Sequence, residues 1–188
     1  MGRVVVTEFV SLDGVIEDPG GSEGTEHGGW SMAYWHDEIA KVKFDELFAS
    51  DAQLLGRVTY QGFAAAWPSM HDEFAERMNG MPKYVVSKTL RELSWNNSHL
   101  ISGDLAAGVT GLKQQVDRDI LVAGSRTLVQ RLREHDLVDL YRLLVYPVVL
   151  GSGKRIFEDG GRSNLKLITA RPVGPQVVLM EDEPMRVP

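Results

Sequence analysis

Two stretches of the chain place glycine, hydroxyl and cationic side chains where an apolar run gives way to a helical pattern. In the segment LLGRVTY, Gly56 and Arg57 follow a buried-strand pattern and open a helix. Amide groups at such a turn point toward an anion, and Arg57 adds a positive charge beside them. The alternative is a plain strand-to-helix turn with Arg57 in solvent. In the segment ILVAGSRTL, Gly124 allows close backbone approach, and Ser125 can cap the helix or bind a phosphate.

A third loop, in the segment YVVSKT, ends a strand-like run with two hydroxyls and an ammonium group, those of Ser87, Thr89 and Lys88. Strands commonly end in polar residues, so each loop alone is structural more often than functional. None of the three is a G-x-G-x-x-G dinucleotide fingerprint or a Walker loop. Three such loops in one chain, each after a strand, favour a bound phosphorylated cofactor.

Two further polar segments are candidates for contact with a substrate. Asp13, in the SLDG turn after the first strand, is either a substrate-facing carboxylate or a residue that shapes the turn beside Gly14. The segment GSGKR at 151–155 could bind a substrate phosphate through its amides and Lys154, or could be a flexible connection before the final hairpin. The residues alone leave both pairs of alternatives open.

Residues 17–29 (EDPGGSEGTEHGG) are glycine-rich, acidic and too polar to pack, so we predict a mobile loop that covers a site. The aromatic residues that follow it, Trp30, Tyr34 and Trp35, could stack on a flat heterocycle. They could equally form a hydrophobic staple for the next helix.

The elements that must position these residues alternate between strand and helix patterns. Strand-like runs occupy 4–10, 52–55, 84–87, 99–102 and 120–123, and helical spacing occupies 37–49, 59–66, 105–116 and 127–133. This alternation indicates crossover connections and a mainly parallel sheet. After residue 138 the runs are strand-like alone, at 138–150, 165–170 and 176–180. We therefore predict an α/β three-layer sandwich, a mainly parallel sheet flanked by helices with an antiparallel C-terminal hairpin, and ligands beyond the carboxyl ends of the strands.

The composition excludes several classes of protein. With 188 residues, 43% hydrophobic and 24% charged, we predict a single domain over 1–188 with a tail at 181–188. The chain has no cysteine, which excludes disulfides and thiolate nucleophiles, so redox chemistry requires a bound cofactor. The net charge of −6 gives no electrostatic reason to bind nucleic acid. We expect a cytoplasmic protein without membrane contact or a metal site, because no long apolar stretch, secretory signal or metal-ligand spacing of histidines is present.

Five motifs together resemble the dihydrofolate reductase-like superfamily: VTEFVSLDGVI, LLGRVTY, YVVSKT, ILVAGSRTLVQRL and YPVVLGSGKRIF. They are most similar to the riboflavin-biosynthesis reductase family, the C-terminal half of the bifunctional pyrimidine deaminase/reductase. The resemblance implies hydride transfer from NADPH to a small heterocyclic substrate, as in the reduction of 5-amino-6-(5-phosphoribosylamino)uracil. A dihydrofolate or pterin reductase of the same fold and a non-catalytic nucleotide-binding protein are the alternatives. Because the family commonly pairs through its late strands, the apolar stretch 137–150 near a sheet edge predicts a homodimer.

The resemblance also implies cofactor contacts residue by residue. It implies that Gly56, Arg57 and Thr59 contact the pyrophosphate and the 2′-phosphate side of NADPH. Ser87 and Lys88 would complete the 2′-phosphate pocket. The loop under the pyrophosphate and nicotinamide ribose comprises Gly124, Ser125, Arg126, Thr127 and Leu128, and Ile16 offers backbone groups to the carboxamide. The substrate-binding candidates are Asp13, Trp30, Tyr34 and Lys154. Amides, hydroxyls and fixed cations are what a dinucleotide phosphate requires.

The chain departs from dihydrofolate reductases on the helix before the GR turn, where those enzymes keep a carboxylate facing the pterin. That position falls on Ala40 when Phe44 is aligned with the family's aromatic residue on the same helix. If a helix acid reaches the pocket, Asp37 is the candidate catalytic residue. Its alternative is an ion pair with Lys41 on a solvated helix face.

Overall fold

The computed structural model describes residues 1–157 and 161–185, and its strands form one eight-stranded sheet. The strands are β1 (Arg3–Ser11), β2 (Ser50–Gly56), β3 (Lys83–Val86), β4 (Ser98–Ile101), β5 (Asp119–Val122), β6 (Leu140–Tyr146), β7 (Leu165–Val173) and β8 (Val177–Pro184). The α-helices are α1 (Asp37–Phe48), α2 (Arg57–Ala66), α3 (Glu73–Gly80), α4 (Leu105–Gln115) and α5 (Arg126–Glu134). Short 3-10 helices lie at Met32–Tyr34 and Trp67–Ser69. No helix within the described ranges is long and apolar enough to cross a membrane.

The strands follow the order β4-β3-β2-β5-β1-β6-β8-β7. The first six are parallel, β8 runs antiparallel to β6, and β7 runs antiparallel to β8. Side chains alternate across the sheet along β1. Val5 packs in a cluster with residues of α1, α2 and α3, whereas Val4 and Val6 pack in a cluster with residues of α4 and α5. The predicted three-layer sandwich with an antiparallel C-terminal hairpin is therefore confirmed.

The sheet opens beside the second half of β1. The pairing of β1 with β5 ends at Val6 and Val122, whereas the pairing of β1 with β6 continues to Ser11 and Tyr146. Residues 7–11 therefore extend beyond the end of β5 with no strand paired on that side, and we call the region beside them, next to the turn 123–125, the β1–β5 gap. In open α/β sheets, ligands bind in crevices outside the carboxyl ends of the strands.

One helix was missed, and the bounds of several strands differ from those predicted. No element was predicted between residues 66 and 84, yet α3 forms there, with the Asp72 carboxylate accepting a hydrogen bond from the Ala75 amide at 2.8 Å. The strand predicted at 138–150 is shorter, since β6 ends at Tyr146. Strand β8 continues to Pro184, so residues 181–184 belong to the sheet and not to the predicted tail. Residues 186–188 of that predicted tail lie outside the described residues.

The stretch 137–150 does not lie near a sheet edge, which corrects the basis of the predicted homodimer. Its strand, β6, is hydrogen-bonded to β1 on one side and to β8 on the other. Most apolar residues of β6 are therefore buried within the chain itself, whereas Val149, beyond the strand, is exposed. The edge strands are β4 and β7, and β7 exposes Leu167 and Ile168. The homodimer stays a prediction, with β7 as the better surface for it.

The loop 17–29 consists of turns and bends folded around the buried side chain of Asp18. The Asp18 carboxylate accepts hydrogen bonds from the amides of Glu23 and Thr25 at 3.0 and 3.1 Å, and from the Thr25 hydroxyl at 3.1 Å. The loop thus has an ordered hydrogen-bonded centre, and its mobility stays a prediction.

Candidate functional site

The starts of α2 and α5 lie against each other at the carboxyl edge of the sheet. Gly56 precedes α2, Ser125 precedes α5, and no side-chain hydrogen bond caps either helix start. A β-carbon on Gly56 would lie 2.3 Å from the Ser125 Oγ, so any larger residue there would force Ser125 to move. Gly124 has a φ of +90°, which favours glycine. Two helix N-termini, each favourable to an anion, therefore adjoin.

The three predicted loops are neighbours, because β3, β2 and β5 are consecutive parallel strands. Arg57 is exposed in the first turn of α2, with its Nη1 3.2 Å from the Gln61 Oε1. The Thr59 Oγ1 lies 3.0 Å from the place of a β-carbon on Gly124. Lys88 is exposed after β3. Cationic and hydroxyl groups therefore occur along three adjacent strand ends.

Two of the predicted cofactor contacts have side chains engaged elsewhere. The Ser87 Oγ accepts hydrogen bonds from the amides of Thr89 and Leu90 at 3.2 and 3.0 Å, so it shapes the turn after β3. Leu128 is buried in the core under α5, whereas Thr127 beside it is exposed. Cofactor contacts by Ser87 and Leu128 stay predictions, and for Leu128 they are confined to backbone atoms.

Asp13 holds the turn after β1 against the segment that follows β6. Its carboxylate accepts hydrogen bonds from the Ser11 hydroxyl at 2.7 Å and from the amides of Leu150 and Gly151 at 3.1 and 2.9 Å. The Ser11 bond, followed by these amides, lowers the pKa of Asp13 to about 2. The ionised carboxylate thus shapes the turn, as that alternative predicts, and contact with a substrate stays a prediction.

Lys154 joins the segment 151–155 to the loop 17–29. Its ammonium forms an ion pair with Glu17, and this interaction holds the pKa of Glu17 below its ordinary value. The Ile16 amide donates to the Lys154 carbonyl at 2.9 Å. The Lys154 charge is therefore partly compensated, and its contact with a substrate phosphate stays a prediction.

The aromatic residues after the loop fall into two sets. Trp30 is buried, and its ring and that of Tyr34 pack edge-on against Tyr146, with centroid distances of 5.4 and 5.8 Å. These two rings pack against the core, and both their stacking on a substrate and the hydrophobic staple for α1 stay predictions. Trp35 is 45% exposed and contacts Phe9 of β1 at a centroid distance of 6.2 Å.

The first turn of α1 carries Asp37 on an exposed surface. Lys41 pairs with Asp45, at 2.7 Å, so the alternative of an Asp37–Lys41 ion pair is wrong. Ala40, at the place of the family's acid, is half-buried. A catalytic role for Asp37 stays a prediction.

Glu8 of β1 is a candidate that the sequence analysis did not single out. Its side chain is half-buried, and its Oε1 is sealed from solvent without a hydrogen-bond partner in the part of the chain that the structure describes. This atom lies at the β1–β5 gap, 3.9 Å from the place of a β-carbon on Gly124. Burial raises the pKa of Glu8 to about 8, against the opposing charge of Lys43. The sequence feature that could have identified Glu8 is a single acidic residue within the otherwise mostly apolar run VVVTEFV.

Charged groups on α1 and β6 form a network beside Glu8. Lys43 pairs with Glu46 and donates to the Thr7 Oγ1 at 3.0 Å, and that hydroxyl donates to Glu46 at 2.9 Å. Arg142 of β6 lies 3.7 Å from Glu46 and pairs with Glu181 at 2.7 Å. Lys43 is therefore shared with Glu46 and is not a dedicated partner of Glu8.

Comparisons with known proteins agree with this architecture. The family model of the RibD C-terminal domain matches residues 3–179. The protein YyaP of Bacillus subtilis strain 168 is 30% identical over 183 residues, which cover 94% of this chain and 92% of YyaP. A protein from Shewanella sp. PV-4 named for riboflavin biosynthesis superposes with a TM-score of 0.76 at 19% identity, over 98% of this chain and 99% of that one.

Dihydrofolate reductase from Enterococcus faecalis, complexed with NADP(H), shares the fold. Its TM-score is 0.63 at 12% identity, over 97% of this chain and 96% of that one. The family model covers nearly all of β1 through β8, and the structural likeness extends over the same elements. This chain therefore belongs to the RibD C-terminal domain family.

Proposed function

We propose that this chain is an NADPH-dependent reductase that delivers a hydride to a small heterocyclic substrate, of the kind reduced in riboflavin biosynthesis. The observation that carries the proposal is the contact of Gly56 with Ser125, which sets two uncapped helix starts side by side at the carboxyl edge of the sheet. Membership of the RibD C-terminal domain family, and the fold shared with a reductase complexed with NADP(H), support a nicotinamide cofactor.

The residues at this edge suit a dinucleotide phosphate. A side chain on Gly56 or Gly124 would fill the space between α2 and α5, so glycine keeps the backbone there open to close approach. Arg57 and Lys88 are exposed cations on neighbouring strand ends, and Thr59 adds a hydroxyl. The 2′-phosphate of NADPH can accept charge-assisted hydrogen bonds from these cations, and NADH lacks that group. We therefore expect a preference for NADPH.

NADPH, when bound, supplies the hydride. The residues of the chain bind and orient the two reactants and exclude water, which is the contribution a protein makes to such a transfer. We assign the reacting end of the substrate to the β1–β5 gap, because this crevice lies at the carboxyl end of the parallel strands. The segments 17–29 and 151–155, joined by the Glu17–Lys154 ion pair, form the proposed outer wall of the substrate site.

The first test is a titration with NADPH and NADH, followed by intrinsic tryptophan fluorescence. Arg57→Ala is expected to weaken NADPH binding by about 10- to 100-fold, since one charge-assisted hydrogen bond is lost, and to leave NADH binding unchanged. Arg171→Ala, which removes an exposed arginine from β7, is the matched control. Equal affinities for the two cofactors would remove the 2′-phosphate assignment, and absence of NADPH binding would overturn the proposal.

The second test follows NADPH absorbance with 5-amino-6-(5-phosphoribosylamino)uracil and with dihydrofolate. Oxidation of NADPH with the uracil compound supports the proposal. Turnover of dihydrofolate alone would favour a pterin reductase. Binding of NADPH without turnover of either compound would favour a non-catalytic nucleotide-binding protein.

A further inference from the structure

Glu8 places a carboxyl group in the gap where the proposed substrate reacts. Because β5 no longer pairs with β1 beyond Val6, the Glu8 side chain borders the β1–β5 gap, level with the turn at Gly124. On the α2 side, the Thr59 hydroxyl lies against the same glycine, at 3.0 Å from the place of its β-carbon. Glu8 is therefore next to the turn that joins β5 to α5, the central part of the proposed cofactor site.

The state of this carboxyl group is unusual for a structural acid. Buried polar atoms in proteins are nearly always hydrogen-bonded, and an unpaired one costs stability. The Glu8 Oε1 is sealed from solvent and has no hydrogen-bond partner among residues 1–157 and 161–185. The Gly124 amide acts on the same carboxyl group as a backbone hydrogen bond that lowers its pKa, but Oε1 itself has no donor within the described residues. The unpaired oxygen points to a partner that binds in the gap.

Burial of the Glu8 carboxyl group favours its neutral form, and the charges around it only partly oppose this effect. Lys43 and Glu46 of α1 act on it with opposite signs, and Arg142 of β6 is directed to Glu46. Since Lys43 is bound to Glu46 and Thr7, burial outweighs its attraction and raises the pKa of Glu8 to about 8. At neutral pH, Glu8 is therefore a protonated acid that can donate a hydrogen bond or a proton.

We propose that Glu8 is the proton donor of the reduction, an inference that rests on the proposed function. As the substrate carbon of a C=N or C=O group accepts the hydride, the C–H bond of the dihydronicotinamide breaks and a new C–H bond forms. The π-electron pair moves to the substrate nitrogen or oxygen, which takes the proton from the Glu8 carboxyl group. The cofactor is oxidised, the substrate is reduced, and the Glu8 carboxylate regains a proton from solvent when the product leaves.

This assignment accounts for the missing acid on α1. Ala40 occupies the place where dihydrofolate reductases carry a carboxylate, and it can neither ionise nor donate a hydrogen bond. In this proposal the acid comes from β1 and not from α1, which suits a different substrate.

The first measurement needs no substrate. Protein labelled with ¹³C at the glutamate carboxyl carbons is titrated by NMR, and Glu8→Gln assigns the Glu8 signal by its disappearance. Glu183→Gln, at an exposed position of β8, is the matched control, in which the Glu8 signal must remain. We expect the Glu8 signal to titrate several pH units above the usual range of a glutamate side chain. A midpoint within that usual range would overturn the proposal.

The second measurement is single-turnover oxidation of NADPH with 5-amino-6-(5-phosphoribosylamino)uracil between about pH 6 and pH 10. Glu8→Gln is expected to lower the rate at neutral pH by about 10² or more, while NADPH binds with unchanged affinity. The wild-type rate is expected to fall as pH rises through the Glu8 midpoint, because the carboxylate has no proton to give. Glu8→Gln lacks that dependence, and Glu183→Gln keeps it.

The outcomes separate this inference from the proposed function. Wild-type rates in Glu8→Gln, in a wild type that does turn over, would assign the proton to solvent or another residue and overturn the inference alone. A wild type that binds NADPH but never oxidises it would overturn the reductase proposal and the proton donor together. If Glu8→Gln fails to fold, Glu8→Asp replaces it in the test. Its carboxyl group is one methylene further from the substrate, so we expect a lower rate with the same pH dependence. An unchanged rate in Glu8→Asp would contradict the inference.

Discussion

Gly56→Ala tests the contact on which the candidate site depends. The added methyl group would lie 2.3 Å from the Ser125 Oγ, 3.1 Å from the Ser125 Cβ and 3.2 Å from the Ser125 amide nitrogen. The Oγ can rotate away, but the Cβ and the nitrogen must each move by a few tenths of an ångström. The loops after β2 and β5 would therefore be pushed apart.

The magnitude follows from this overlap. The Gly56 backbone has φ −74° and ψ 160°, which any residue adopts, so steric overlap is the main cost. Overpacking of this kind lowers the free energy of unfolding by about 1 to 3 kcal/mol. Gly62→Ala is the matched control, because Gly62 lies in α2 with open space around it. Replacing a helix-interior glycine by alanine is expected to stabilise the protein by up to about 1 kcal/mol.

Urea unfolding and NADPH titration of the same variants give the two readouts. Gly56→Ala is expected to lose stability and NADPH affinity together, and Ser125→Gly in the same chain should restore part of the stability by removing two of the three contacts. Ser125 makes no capping hydrogen bond through its side chain, so Ser125→Gly alone is expected to lower the free energy of unfolding by only ~0.3 kcal/mol. If Gly56→Ala matches the wild type in both readouts, the packing of β2 against β5 at this edge is refuted.

Three further expectations follow from contacts outside the candidate site. Gly174→Ala should destabilise the protein by about 1 to 3 kcal/mol in urea unfolding, because φ is +64° and the methyl group would meet the His36 ring at 2.2 Å; equal stability would contradict that packing. Burial lowers the pKa of Lys83 from 10.5 to about 8, so the unfolded chain binds more protons between these values, and wild-type stability should rise relative to Lys83→Met as pH increases across that interval. Unfolding curves with the opposite slope would refute this. Light scattering should show a homodimer that Leu167→Asp or Ile168→Asp dissociates, whereas a wild-type monomer at micromolar concentration would contradict the dimer.

Much of the fold could be predicted because buried parallel strands appear in the sequence as short runs of apolar residues. The runs at 4–10, 52–55 and 120–123 all became strands of the sheet, as β1, β2 and β5. Strand order could not be predicted in the same way, because pairing depends on contacts between distant segments. The apolar stretch 137–150 fits two cases equally well: an edge strand whose side chains a partner must cover, or a strand inside the sheet. Only the pairing of β6 with β1 and β8 shows that the strand is internal.

The candidate site was predictable as a set of loops but not as individual contacts. Loops that follow parallel strands meet at one edge of a sheet, which is why the glycine and cation pattern identified the α2 and α5 starts correctly. Ser87 and Asp13 each had two open interpretations, and their hydrogen bonds to nearby amides became visible only in the structure. Glu8 is distant in sequence from both Gly124 and Lys43, so its burial and its place in the gap depend on the folded chain.

The position of the acid leads to a final prediction, that dihydrofolate is a poor substrate. Reduction of a pterin ring requires a proton for a ring nitrogen, and the resemblance to dihydrofolate reductases implies that their ring-orienting carboxylate is replaced by Ala40 in this chain. Loss of such a group lowers the rate by about 10² to 10⁴, so trace turnover is expected in an NADPH absorbance assay. Ala40→Asp should raise that turnover if the pocket accepts a pterin. Wild-type turnover of ~1 to 10³ per second would show that another acid already serves, and Asp37→Asn compared with Glu8→Gln would then identify whether that acid lies on α1 or on β1.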